Sequence, residues 1–112
     1  MSSSGGRANG DVVALSRWTL GNDFKDSHYL GQMRTYFVDG VNPPCANGVR
    51  WEIDNLDLGW GNSISSAQGF SGCDHFQHFD LPHQQGLQIM CPPNCWTMPG
   101  MDNRTESLLW FA

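Results

Sequence analysis

Apolar residues along this chain alternate with polar ones in short runs, instead of recurring every third and fourth position, and alternation sends side chains to opposite faces of an extended strand. The clearest run is Val49-Arg50-Trp51-Glu52-Ile53-Asp54, with Val49, Trp51 and Ile53 on one face. Met33, Thr35 and Phe37 alternate with Arg34 and Tyr36 in a second run. Leu87, Ile89 and Cys91 form a third, and Leu108 with Trp110 a last. The 13 glycines and 6 prolines punctuate these runs as turn formers. Helical spacing is hinted at only between Asp11 and Leu20, through Val12, Leu15 and Trp18 behind a candidate Asp11 cap; strand or coil is the stronger reading there. The pattern predicts an all-β chain of short strands packed as a β-sandwich.

Two segments end alike: Gly61-Asn62-Ser63-Ile64-Ser65-Ser66 and Asp102-Asn103-Arg104-Thr105-Glu106-Ser107. An aromatic-acidic hairpin candidate precedes each, Phe37-Val38-Asp39-Gly40 before the first and Phe79-Asp80 with Gly86 before the second. This reads as a unit of about forty residues used twice, one copy over about 30–70 and the other over about 71–112. Neither unit can bury its apolar face alone, so the two pack together in a single domain spanning 11–112.

A chain of 112 residues fits one domain with a core of its own. With 6 Lys+Arg against 11 Asp+Glu, a formal charge of -5 and Lys25 as the sole lysine, there is no basic face to neutralise phosphates, so nucleic acid is not an expected partner. No apolar stretch approaches a membrane helix. Residues 1–10 have the composition of a disordered tail and lack the apolar middle of a signal peptide. A trimmed mature start would look the same, so secreted and cytoplasmic locations both fit. Four cysteines allow three disulfide pairings. The tight Cys91-Pro-Pro-Asn-Cys95 loop favours Cys91 with Cys95, leaving Cys45 for Cys73, while four reduced thiols are the alternative in a reducing compartment.

Phe79, Asp80, Gly86 and Ser107 resemble a Greek-key motif of the βγ-crystallins, in which an aromatic folds over a hairpin, a glycine takes a conformation closed to other residues, and a later serine follows. Phe37 and Ser66 give a looser first motif, with Gly40 or Gly48 as its glycine. The resemblance runs from roughly Met33 to Ala112 and implies two Greek-key motifs packed as a sandwich. The calcium-binding branch of that family carries Asn/Asp-Asn/Asp-x-x-Ser/Thr-Ser in each motif. The first loop departs from it only at Gly61, the second only at Glu106. Carried over, the resemblance implies a metal site at Ser63 and Ser65 near Asp80, and another at Arg104 and Glu106 near Asp39. Asn62, Asp102 and Asn103 shape or complete the loops, and Ser66 and Ser107 bond the folded hairpins. Calcium accepts roughly six to eight oxygens of mixed type, and such modules bind it with a dissociation constant of about 10⁻⁴ to 10⁻³ M. The function implied is that of a monomeric, non-enzymatic, structural or storage-like domain with modest calcium affinity.

Blander and rival readings stand beside this one. Asn, Asp, Ser and Thr satisfy their own backbone in turns without any metal. His75, His78, Cys91 and Cys95 offer zinc ligands, although His75 and His78 would point to opposite faces of one strand. No nucleophile elbow, metalloprotease helix or phosphate-cradling glycine loop appears, and Cys73 with His75 reads as structural. Trp60 and Trp96, beside Gly or Pro, suggest a carbohydrate-binding or inhibitor-like surface as the alternative function.

Overall fold

The computed structural model describes residues 15–112; the tail read over 1–10 and the start of the Asp11–Leu20 segment lie outside them. The described chain is all-β. Its strands are β1 (Ser16–Asp26), β2 (Leu30–Gly40), β3 (Trp51–Ile53), β4 (Ser66–Gly69), β5 (His75–Leu81), β6 (Gln85–Cys91) and β7 (Ser107–Phe111), with one 3-10 turn at Ala46–Gly48. Two antiparallel sheets pack together, ordered β2-β1-β4 and β3-β7-β5-β6. Each half of the chain lends a segment to the other's sheet. β3 pairs with β7, and Cys95 forms an isolated bridge to Ala67 of β4. The halves are thereby interlocked through backbone hydrogen bonds as well as through the core.

β1 is the longest strand together with β2, and it begins at Ser16, well before the start near 30 expected for the first unit. A bulge explains why no alternation announced it. Leu20 is the extra residue between the Thr19↔Phe37 and Gly21↔Tyr36 pairs, and an extra residue moves the inward face from one parity to the other. Trp18 and Leu20 point inward before it, Gly21 and Asp23 after it. On β2 the alternation is real but the inward side is that of Arg34, Tyr36 and Val38; Met33 and Phe37 lie about half exposed.

Between the sheets, Trp110 and Phe76 stack with ring centroids 4.6 Å apart, and Ile64, Met98, Leu108 and Ala67 close the core around them. The expected Cys45–Cys73 and Cys91–Cys95 disulfides both form, and all four cysteines are buried.

Candidate metal centre

Two hairpins of the same construction frame the site. The β1–β2 and β5–β6 turns are each followed by a glycine at positive φ, Gly31 (φ 79) and Gly86 (φ 81), where an added Cβ would fall on the carboxylate of Asp26 or Asp80. A serine clamps each turn. Ser66 Oγ donates to the Asp26 carbonyl (2.7 Å) and accepts from the Tyr29 N–H (3.0 Å); Ser107 Oγ donates to the Leu81 carbonyl (2.7 Å) and accepts from the Gln84 N–H (3.0 Å). One residue earlier, Ser65 N–H donates to the Phe24 carbonyl (2.9 Å) and Glu106 N–H to the Phe79 carbonyl (2.7 Å). Phe24, Gly31 and Ser66 therefore correspond to Phe79, Gly86 and Ser107. This corrects the placement of the first hairpin at Phe37 with Gly40 or Gly48. Phe37 is 47% exposed, pairs with Thr19 and lies under the Arg17 guanidinium.

The two loops cross. Asn62 N–H donates to the Thr105 carbonyl (2.8 Å) and Asn103 N–H to the Ile64 carbonyl (3.0 Å), so the backbones run past each other as near-symmetric copies. Both asparagines sit at positive φ, 60 and 57, a region Asn tolerates better than most residues. Asn62 Nδ2 donates to Glu106 Oε2 (2.9 Å), and Ser65 Oγ donates to Asn103 Oδ1 (3.3 Å). Each loop's second position thus meets the other loop's fifth. Ser65 and Glu106 were expected to serve their own loops; the crossing assigns Ser65 to Asn103 and Glu106 to Asn62.

The two departures from the family pattern also meet. A Cβ at Gly61 would come within 3.1 Å of Glu106 Oε1, so the bare first position of one loop leaves room for the long fifth side chain of the other. At the matching first position of the second loop Asp102 is exposed.

Other expected site residues are committed elsewhere. Ser63 Oγ donates to the carbonyls of Gly59 (3.1 Å) and Trp60 (2.9 Å), which is local turn bonding. Asp80 accepts from Leu87 N–H (2.8 Å) and from the guanidinium of the second loop's Arg104 (3.2 Å), and Ser63 and Ser65 bond other partners. Asp39 pairs with Arg17 (3.0 Å), whose hydrogen bond holds the Asp39 carboxyl below its ordinary range. It stands opposite Arg17 near the start of β1, whereas the first loop bonds at Phe24 near that strand's end and the second at Phe79 of β5, so Asp39 bonds to neither loop.

The zinc set is not assembled. Cys91 and Cys95 are bonded to each other, His75 stacks on Phe111, and His78 is bound to Asp23. Among the described residues no three His, Cys, Asp or Glu side chains converge, and the crossed loops present mainly amide, hydroxyl and backbone oxygens beside the single Glu106 carboxylate.

Sequence reasoning gave no sign of a buried polar link between the sheets. Asp23 and His78 are both 0% exposed, joined Oδ1 to Nε2 at 2.7 Å, and the Tyr36 hydroxyl donates to Asp23 Oδ2 (2.8 Å). Burial first, and then the Asp23 carboxylate, push the Tyr36 hydroxyl far above its usual range. Trp60, expected as a sugar platform, is buried at 8% exposure beneath Lys25 and Arg34, while Trp96 is 62% exposed against His28. A cleft of about 340 Å³ lies between the β2 and β3 edges, with Tyr36, Phe37, Trp51 and Glu52 among its lining.

Comparison of the chain with protein-family models, curated proteins and solved structures finds no match.

Proposed function

We propose that this chain is a βγ-crystallin-like domain of two Greek-key motifs, non-enzymatic, with a structural or storage-like role and weak calcium binding at the crossed loops. The observation that carries the reading is the pair of crossed contacts, Asn62 with Glu106 and Ser65 with Asn103. The serine-clamped hairpins and the exchange of a segment between sheets support the same family reading.

The donor chemistry fits a hard cation. One crossing supplies a carboxylate and an amide, the other a hydroxyl and an amide oxygen, and calcium accepts all three. At the first crossing the Asn62 amide presents its nitrogen to Glu106, and a half-turn of that amide offers the oxygen instead. Bound calcium would supply charge that ties the two loops together; the chain's own part is to hold the crossing, through the backbone bonds of Asn62 and Asn103. With a carboxylate at one of the two crossings only, a dissociation constant of about 10⁻⁴ to 10⁻³ M is expected.

Calorimetric titration with calcium tests this on the wild type and Glu106→Gln. Heat of binding in the wild type that weakens in the variant supports the reading, and an absence of heat in the wild type at millimolar calcium removes it.

A second reading rests on the cleft between β2 and β3. The Trp51 indole beside Glu52 suits a stacked, hydrogen-bonding sugar. Glycan-array binding lost on Trp51→Ala, with calcium without effect, would favour that module over the cation-binding one.

A further inference from the structure

Thr105 presents a hydroxyl that the fold does not use. Its side chain is fully buried, and Oγ1 has no hydrogen-bond partner. A buried hydroxyl left unpaired forfeits its hydration without return, so its presence asks for a cause outside the packed core. The other loop shows what packing alone requires. The backbone bonds that cross between the loops make Ile64 the counterpart of Thr105, and Ile64 is equally buried and wholly apolar.

A use for that hydroxyl appears two residues upstream. Asn103-Arg104-Thr105 is the one Asn-x-Ser/Thr triplet with a residue other than proline at its centre in the whole sequence, and in this triplet the hydroxyl is required for N-linked glycosylation of the asparagine. Asn103, Asp102 and Arg104 are all exposed, and Asn103 occupies a tight turn at φ 57. Its Oδ1 is engaged by Ser65, whereas Nδ2 makes only a 3.4 Å contact with the solvent-facing Asp102. A substituent on Nδ2 therefore projects to solvent and leaves the Ser65 bond in place. Two disulfides suit the same oxidising compartment in which such transfer takes place.

We propose that Asn103 is an acceptor for an N-linked glycan, attached before the second loop folds and while the Thr105 hydroxyl is still reachable. The donor class is an oligosaccharide on a lipid diphosphate. The Asn103 amide nitrogen forms a bond to the sugar's anomeric carbon as the carbon–oxygen bond to the diphosphate breaks. The diphosphate leaves with that electron pair, and one amide proton passes to a base of the transferring enzyme. Folding then buries Thr105 and leaves the glycan outside. This inference does not rest on calcium binding.

The test directs the full chain into the secretory pathway of a eukaryotic host and reads intact mass before and after an amidase that releases N-glycans. A glycan mass that the amidase removes, leaving aspartate at 103, is expected in the wild type and in Thr105→Ser. It is expected to vanish in Asn103→Gln and in Thr105→Val, where valine keeps the buried shape that Ile64 shows to be acceptable. Wild-type protein that leaves the cell with both disulfides formed but no added mass overturns the inference. So does a glycan that persists in Thr105→Val.

Discussion

The hairpin turns and the line where the two halves meet are built on opposite rules. At the turns the halves are copies: the same serine clamp, the same positive-φ glycine, the same backbone bond one residue earlier. The strand registers extend that correspondence inward. Phe24, Asp23 and Gly21 face Ser66, Ala67 and Gly69, as Phe79, His78 and Phe76 face Ser107, Leu108 and Trp110. Asp23 is therefore the counterpart of His78, and Gly21 of Phe76, and each touches its own counterpart. Two equivalent positions that meet across such a pseudo-twofold cannot both be acidic or both be large. The chain resolves this by pairing an acid with a base and a bare glycine with an aromatic ring. Repetition is kept where the halves act separately and is broken where they collide.

The largest effect is expected at the charged contact. Asp23→His and His78→Asp each set like groups face to face in a dry core, and each should cost about 3–5 kcal/mol in urea unfolding, the range for breaking a buried pair. The double exchange again opposes an acid and a base and should recover part of that loss; a double variant as unstable as the sum would break the proposed equivalence. At the steric contact, Gly21→Ala brings a Cβ to 2.8 Å from both the Gln68 carbonyl and the Phe76 ring, so a loss of about 1–3 kcal/mol is expected from overpacking. Ser66→Ala and Ser107→Ala each orphan a turn N–H and remove a donor, which should cost about 1–3 kcal/mol apiece. Near-equal losses would show the two turns to be energetic as well as geometric copies, and a large difference would show that they are not.

The smallest effect lies on the surface, where Arg34 hydrogen-bonds Asp57 and depresses the Asp57 carboxyl below its ordinary range. A carboxyl whose folded value is depressed adds stability above the unfolded value, about 3.9, and loses it as pH falls through the lower folded value. An NMR titration of the Asp57 carboxyl should show a midpoint below the ordinary one that moves up in Arg34→Gln.

Much of the second half was legible in the sequence. Phe79, Gly86 and Ser107 fall within β5, β6 and β7, and the apolar run of β7 places Leu108 and Trp110, two residues apart, on one buried face. The first hairpin was not, because the Leu20 bulge hides the alternation of β1, while Phe37-Val38-Asp39-Gly40 imitates a turn signal on the exposed side of β2. The loops were recognisable as a pair, but which side chain meets which depends on how the halves face each other. That relation joins residues as distant as Asn62 and Glu106, and no local pattern records it.

The crossing of the loops is open to a direct measurement. In isotopically labelled protein, the side-chain amide resonances of Asn62 and Asn103 are followed as calcium is added to the wild type, Glu106→Gln and Ser65→Ala. Both resonances should move in the wild type, Glu106→Gln should still that of Asn62 alone, and Ser65→Ala that of Asn103 alone. Resonances that do not respond to calcium in the wild type, or a Ser65→Ala variant that stills Asn62 instead, would contradict a cation cradle shared across the two halves.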